Sequence, residues 1–440
     1  MKPLCLALCL AAFAAAAPLH VEQAAFHAGA DGVPPGWKTW AARPEIAPRT
    51  FVDGVHYRGR PGALAISGNS NAAEYGGWEY TVGTIEPGRW YRFVAYYRAE
   101  GLQNEPLQVV SRLDWTTAQG KRAGEPDYAY AVRPEGKWRR VTLDALAPEG
   151  AAAVKLQLFL QNAPSATVWW DDISLDQIPA PKPRTVTVAA VNLRPQNTGS
   201  AAESVRQFLE VVDKRVPRNA DIILLPEGIT VIGTGKKYAD VAEPIPGPTT
   251  ARLAAAARQR KAYIVAGIYE REGQAIYNTA VLIDRAGNLA GKYRKVYLPR
   301  EEIEGGLTPG SDFPVFQADF GKVGMMICYD VFYADPARAL ALRGAELILM
   351  PIWGGNEALG KARAIENHVF VATSGYDYPT YVMDPVGEML AVARDRGAVA
   401  VTTIDLNRRY DEKWLGNMRE RFMKELRLDV KMERPGFTAP

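Results

Sequence analysis

The stretch "QIPAPKPRT", Gln177 to Thr185, sets three prolines in a polar context, and the residue pattern changes across it. Proline fixes φ and removes a backbone donor, so such a run cannot continue a strand or helix and reads as an interdomain linker. Before it stand eight of the ten tryptophans: Trp37, Trp40, Trp78, Trp90, Trp115, Trp138, Trp169 and Trp170. A chain of 440 residues exceeds what one ordinary core accommodates. The boundaries expected are 1–17 for a leader, 18–178 for a first domain, 179–184 for the linker and 185–440 for a second domain with a C-terminal helical extension.

The leader is "MKPLCLALCLAAFAAAAPLH": a lysine, a short apolar run and small residues up to Ala17, the layout of a cleaved secretory signal. The run is shorter than the roughly 20 apolar residues of a membrane span. Secretion or transfer to a periplasm is therefore expected, with the mature chain starting near Pro18. Cys5 and Cys9 would leave with the signal, so only Cys328 remains. A lone cysteine can form no internal disulfide and no multi-cysteine zinc site. The composition, 48% hydrophobic and 23% charged, is that of a folded soluble protein, and a net charge of +3 without a dense basic run argues against nucleic acid as a partner.

In the first domain, runs such as "GRWYRFVAYYRAEG" and "AAAVKLQLFLQN" alternate between apolar and polar. Val154, Leu156, Leu158 and Leu160 share one face, with Lys155 and Gln157 on the other. Several such strands with turns between them predict an antiparallel β-sandwich. Past the linker, strand-length apolar runs ("TVTVAAVNL", "ADIILLPE", "AYIVAGIYE", "NTAVLID", "VGMMI", "AELILMP", "VFVATSG", "GAVAVTTIDL") alternate with helical periods. Ser200 and Glu203 have capping-box spacing, followed by Val205, Phe208, Leu209 and Val212 on one helical face. The pattern predicts an α/β domain of layered sheets and helices.

Cys328 follows "VGMMI" at a strand end, the usual place for chemistry in such folds, and Asp335 and Pro336 suit the N-cap and first position of the next helix, which Gly344 can end. A buried structural thiol and a nucleophile are both compatible with that position. A nucleophilic cysteine needs a base. After the linker the only histidine is His368, at a helix end, where packing is the simpler role. Glu227 in "ADIILLPEG" emerges where a buried strand finishes, and partial desolvation makes a carboxylate at such a point a stronger base. In "GKYRKVYLP", Lys295 breaks parity with Lys292 and Arg294, so it can face inward while those two stay solvated. An inward ammonium beside Cys328 would favour a thiolate and bind an oxyanion.

Glu227 in "LLPEG", Lys295 in "YRKVYLP" and Cys328 in "MMICYDVF", in that order, resemble the signature of the nitrilase superfamily, the carbon-nitrogen hydrolases. "AELILMPIWGG", "ARAIENHVFVATSG" and "VMDPVGEML" extend the likeness from Thr185 to Arg409. The resemblance implies a four-layer αββα sandwich, homodimeric or larger, without metal or organic cofactor. It implies Glu227 as general base, Cys328 as thioester-forming nucleophile, and Lys295 with the Tyr329 N–H as oxyanion stabilisers. A second family glutamate falls on Glu302, with Glu304 as the alternative. Glu366 and Asn367 match an "EN" pair near the substrate, and Trp353 lines the pocket. Tyr297 stands where many relatives carry histidine.

"GRWYRFVAYYRAEG", "GKWRRVTL" and "ATVWWDDISL" make the first domain similar to galactose-binding-like, jelly-roll-like β-sandwiches used as carbohydrate-binding modules, which implies a carbohydrate partner. Tryptophans that fill the sandwich core are the competing explanation. The expected activity is an exported amidase-type hydrolase of a small-molecule amide. Nitrile or carbamoyl hydrolysis, acyl transfer to an amine, and a non-catalytic glycan-binding protein are the alternatives. The C-terminal "RRYDEKWLGNMRERFMKELRL" has mixed charge at helical spacing and suits either a partner subunit or solvent.

Overall fold

The computed structural model describes residues 26–29 and 32–430. The leader expected at 1–17 lies outside the described residues. Two compact units form, one from the chain up to Lys182 together with the segment from Asp411 onward, the other from Pro183–Tyr410. The linker prolines therefore fall at the junction. The segment after Asp411 does not extend the second unit, as the expected 185–440 boundary had it.

In the first unit two sheets of antiparallel strands enclose one core. One has the order Trp37–Ala41, Tyr75–Val82, Ala153–Gln161, Val109–Thr116, Asp127–Tyr128; the other has Arg49–Asp53, Ala63–Ser67, Thr167–Ile178, Trp90–Glu100, Trp138–Leu146, Ala131–Glu135. Val154, Leu156, Leu158 and Leu160 all face the core, as their alternation predicts. Trp78, Trp115 and Trp170 are completely buried there. Trp78 Nε1 donates to Ala65 O at 3.0 Å and Trp115 Nε1 to Asp127 Oδ2 at 2.7 Å, whereas Trp170 Nε1 is buried without a hydrogen-bond partner. Trp169, one residue from Trp170, points to the opposite face and donates to Asp53 Oδ2 at 2.7 Å. The returning helix Met418–Glu425 sinks Lys424 into this unit, where its ammonium donates to the carbonyls of Pro106 and Val109. Burial depresses that amine to about 7.

The second unit contains two six-stranded sheets. The first holds β1 (Thr185–Val191), β2 (Ile222–Leu224), β3 (Tyr263–Glu272), β4 (Ala275–Ile283) and β5 (Leu289–Arg294). The second holds β6 (Val315–Gln317), β7 (Lys322–Met325), β8 (Leu347–Pro351), β9 (Phe370–Ser374), β10 (Thr380–Met383) and β11 (Met389–Ala393); β12 (Val399–Asp405) returns to the first sheet beside β1. Each sheet has a parallel centre, β1–β2–β3 in one and β7–β8–β9 in the other, and antiparallel flanks. Parallel strands buried on both faces need near-continuous apolar sequence, which these runs have.

One face of each sheet meets the other: Val186, Val188, Leu224 and Val265 share a core with Val323, Met325, Leu349 and Phe370. On the far side of the first sheet, Ala189, Ile223 and Ile264 pack on Val205, Phe208 and Val212 of α1 (Ala201–Arg215) and on Leu253 and Ala257 of α2 (Pro248–Arg260). The cap of α1 is the expected one, with Glu203 N donating to Ser200 Oγ at 3.2 Å. After a short α3 (Arg300–Glu304), helices α4 (Asp335–Leu342) and α5 (Glu357–Asn367) cover the second sheet. The layers thus run helix, sheet, sheet, helix. Asp335 begins α4 inside the helix rather than capping it, and Gly344 follows its end at a φ of 92°. No described helix is long and apolar enough to cross a membrane.

Candidate active site

Glu227 follows β2 through Leu225 and Pro226, and is 2% exposed. Its backbone lies against β3, where Gly267 N donates to Pro226 O and Ile229 N to Gly267 O, both at 3.0 Å. A Cβ on Gly267 would stand 2.6 Å from Glu227 Cα, so this strand position must be glycine for the turn to seat. The Tyr376 hydroxyl donates to the Glu227 carbonyl and pins the turn from the other sheet.

Lys295 is the first residue past β5 and is 1% exposed. Its Nζ lies 2.9 Å from Glu227 Oε1 and 3.0 Å from Glu302 Oε1. Asn278, on β4, completes the group: its Nδ2 donates to both of those oxygens at 2.7 Å. Two carboxylates thus share one ammonium and one amide. Burial alone would lower the lysine, but Glu227, the Cys328 sulfur and Glu302 together hold the ammonium above the ordinary lysine range. Burial pushes Glu302 up to about 7; Lys295 opposes that rise and the charge of Glu227 adds to it.

The second glutamate is resolved by helix geometry. On α3, Glu302 turns inward while Glu304 is exposed and accepts from Arg300 Nε at 2.6 Å. Glu304 therefore has no place in the cluster. Lys292 and Arg294, expected in solvent, instead clamp the buried Glu270 of β3, Arg294 with a bidentate pair at 2.7 and 2.9 Å and Lys292 at 2.5 Å. Neighbouring strands supply the partner, which parity along one strand does not reveal.

Cys328 opens a short 3-10 helix, Cys328–Phe332, with a φ of 41°. Left-handed backbone at a non-glycine residue costs roughly 1–3 kcal/mol and persists only where surroundings enforce it. The Sγ donates to Gly354 O at 3.3 Å. Burial pushes the thiol up to about 12, the charge of Glu227 adds to this, and Lys295 offsets only part. The ammonium expected to favour the thiolate does act in that direction, but, already engaged by two carboxylates, it does not outweigh desolvation. Tyr329 is the second residue of that 3-10 helix, so its N–H has no intrahelical acceptor. Its ring packs on Phe332 at 5.2 Å and Tyr333 at 5.6 Å. Trp353, next to Gly354, stands edge-on to Tyr376 at 5.2 Å and is 38% exposed.

Glu366 does not join the cluster. It accepts from Arg363 Nη1 at 2.6 Å, and Arg363 Nε donates to Val331 O at 3.1 Å, so the pair braces the turn that carries Cys328. Asn367 donates back to Arg363 O at 2.9 Å within α5, and His368 caps that helix in left-handed conformation, φ 52°. Tyr297 stacks on Tyr333 at 3.8 Å and donates to Asp335 Oδ2 at 2.9 Å. Two buried residues escaped the sequence reading, Asn278 and Asp330. Asp330 is fully buried, and burial pushes it up to about 6. Among the described residues no group of three or more His, Cys, Asp or Glu side chains is arranged to hold a metal ion.

A thiol at a strand end, a buried glutamate and a buried lysine thus come together on one αββα frame. The carbon-nitrogen hydrolase family model matches residues 187–412, just over half of the chain, and the chain belongs to that family. It is 30% identical over 236 residues to the omega-amidase NIT2 of Homo sapiens, covering 47% of this chain and 84% of that protein. It is 33% identical over 243 residues to a nitrilase of Pyrococcus abyssi (strain GE5 / Orsay), covering 50% of this chain and 90% of that protein. Among solved structures, a carbon-nitrogen hydrolase from Helicobacter pylori G27 superposes with a TM-score of 0.47 at 20% identity, over 56% of this chain and 96% of that one. The protein is a hydrolase of carbon–nitrogen bonds other than peptide bonds.

Proposed function

We propose that the protein hydrolyses primary amides through a Cys328 thioester. The observation that carries this is the division of labour on Glu227: Oε1 is held by Lys295 and Asn278, while the buried Oε2 has no hydrogen-bond partner. A buried acceptor left unpaired costs about 1–3 kcal/mol, so the site favours a donor arriving there. The thiol supplies one proton. An amide nitrogen supplies others, whereas a nitrile carries no N–H at all. Asn278 Oδ1 is a second buried acceptor without a partner, and it argues the same way.

In this reading Glu227 takes the Sγ proton as sulfur attacks the carbonyl carbon. The oxyanion forms against the Lys295 ammonium and the Tyr329 N–H. Glu227 returns the proton to the nitrogen, the C–N bond breaks, and ammonia leaves a thioester. Water then gives a proton to Glu227 as it attacks the thioester, and the carboxylic product leaves as the thiol is restored. A resting thiol suits this sequence, because the base acts during attack rather than before it. The signal-like residues 1–17 support export of the enzyme as part of the same proposal.

The test is ammonia release from a panel of primary amides, nitriles, carbamoyl compounds and amidated sugars, with Cys328→Ala beside the native protein. Cysteine-dependent release from amides and none from nitriles is expected. Turnover undiminished in Cys328→Ala, or nitrile turnover above amide turnover, overturns the proposal.

A further inference from the structure

Three backbone and side-chain donors converge on Asp330, and all of them belong to the two segments that carry the reacting groups. Tyr297 N donates to Oδ1 at 3.1 Å, Ile327 N to Oδ2 at 2.9 Å and Tyr293 Oη to Oδ2 at 2.7 Å. Tyr293 and Tyr297 lie two residues on either side of Lys295, and Ile327 immediately precedes Cys328. Asp330 is completely buried. A single carboxylate therefore ties the lysine segment of one sheet to the nucleophile turn of the other.

The local bonding shows why a carboxylate is required. Every partner is a donor, so both oxygens must accept, and a carboxamide would set its NH₂ against an N–H or O–H. The Tyr293 hydroxyl also accepts from Val296 N at 3.2 Å, which extends the tie along the lysine segment. Ile327 N is the last backbone donor before the chain turns into the left-handed conformation of Cys328. Removing that acceptor releases the residue that aims the sulfur.

We propose that Asp330 is a positioning residue for the hydrolysis, fixing Cys328 relative to Lys295. The inference builds on the hydrolase reading but can be tested apart from it. It predicts a loss in kcat rather than in substrate binding, since the ground-state substrate need not sense the relative placement of sulfur and ammonium.

The experiment compares native protein, Asp330→Asn and Tyr293→Phe in two assays. The first is steady-state amide hydrolysis. The second is iodoacetamide labelling of Cys328 at pH 9, read by peptide mass spectrometry, which needs no turnover. Folded Asp330→Asn is expected to lose roughly 100-fold in kcat, the scale of a 1 Å misplacement, with KM little changed. Its labelling rate should fall in parallel, and Tyr293→Phe, which removes one donor and keeps the carboxylate, should lie between. Native kcat and native labelling in folded Asp330→Asn overturn the proposal. Where Asp330→Asn does not fold, Tyr293→Phe decides: a lower kcat at unchanged KM with slower labelling supports the role, and native values refute it. Should the native protein release no ammonia from any amide, the hydrolase reading fails while the labelling comparison still judges the positioning role.

Discussion

Lys295 Nζ stands 2.9 Å from Glu227 Oε1, both groups almost fully buried, and Glu302 and Asn278 close the remaining sides. One ammonium thus balances the charge that the two carboxylates share out of reach of water. Truncating Lys295 leaves that charge unpaired. Lys295→Ala is expected to lose about 3–5 kcal/mol of stability, the scale for breaking a buried pair, together with all measurable turnover. Urea unfolding at pH 7.5 checks the first and ammonia release the second. A Lys295→Ala variant as stable as native would contradict the charge balance described.

The thiol, pushed up to about 12, should react slowly with iodoacetamide at pH 7 and accelerate through the alkaline range. Glu227 is one cause of that rise. Glu227→Gln removes its negative charge, so its labelling profile should shift toward lower pH even as turnover disappears. A variant that is inactive yet more readily alkylated is the expected signature. A profile that moves toward higher pH would mean that Glu227 does not act on the sulfur electrostatically.

Glu227 and Cys328 were legible in the sequence because each stands where an apolar run ends, after "IILLP" and after "VGMMI", and Lys295 because it breaks parity with Lys292 and Arg294. Asn278 was not, since it sits inside "NTAVLID", whose apolar character reads as strand core, and its partners come from other segments. Asp330 was hidden for the same reason: "CYD" says nothing of Tyr293 or Tyr297, more than thirty positions earlier. Glu302 and Glu304 could be ranked only by resemblance, although a separation of two residues places them on opposite sides of one helix, and the structure settles which side faces Lys295. The C-terminal helix gave mixed charge and no address, because the partner of Lys424 is a pair of backbone carbonyls that no composition reveals.

Gly267 offers a test of placement that touches no reacting group. A methyl there would meet Glu227 Cα at 2.6 Å and Gly228 N at 3.1 Å, both backbone atoms without a flexible end to yield. Gly267→Ala should push the Glu227 turn off β3, costing about 1–3 kcal/mol of stability and roughly 100-fold in kcat. Gly199→Ala, at an exposed glycine where a Cβ meets nothing within 4 Å, is the matching control and should leave both unchanged. Native kinetics in Gly267→Ala would show that the turn is free to move without affecting the base.

Glu302 links the site to stability through pH. Its folded value, about 7, lies above the 4.5 of an ordinary glutamate, so the folded state holds this proton more tightly than the unfolded chain does. The resulting stabilisation is fully present below about pH 4.5 and is lost as pH rises toward 7. Asp330, raised from 3.8 to about 6, adds a loss of the same sign slightly lower in pH. Glu302→Gln cannot ionise and should escape its part of that decline. Its stability relative to native is therefore expected to improve by about 1–3 kcal/mol between pH 4.5 and pH 8, measured by urea unfolding at each pH. Turnover should fall in the same variant, because a neutral amide no longer balances the Lys295 charge and its NH₂ can face the ammonium. A stability difference that stays constant across this range would show that Glu302 is ionised throughout, and the shared-charge description of the Glu227, Lys295 and Glu302 cluster would have to be replaced by one in which both carboxylates carry full charge.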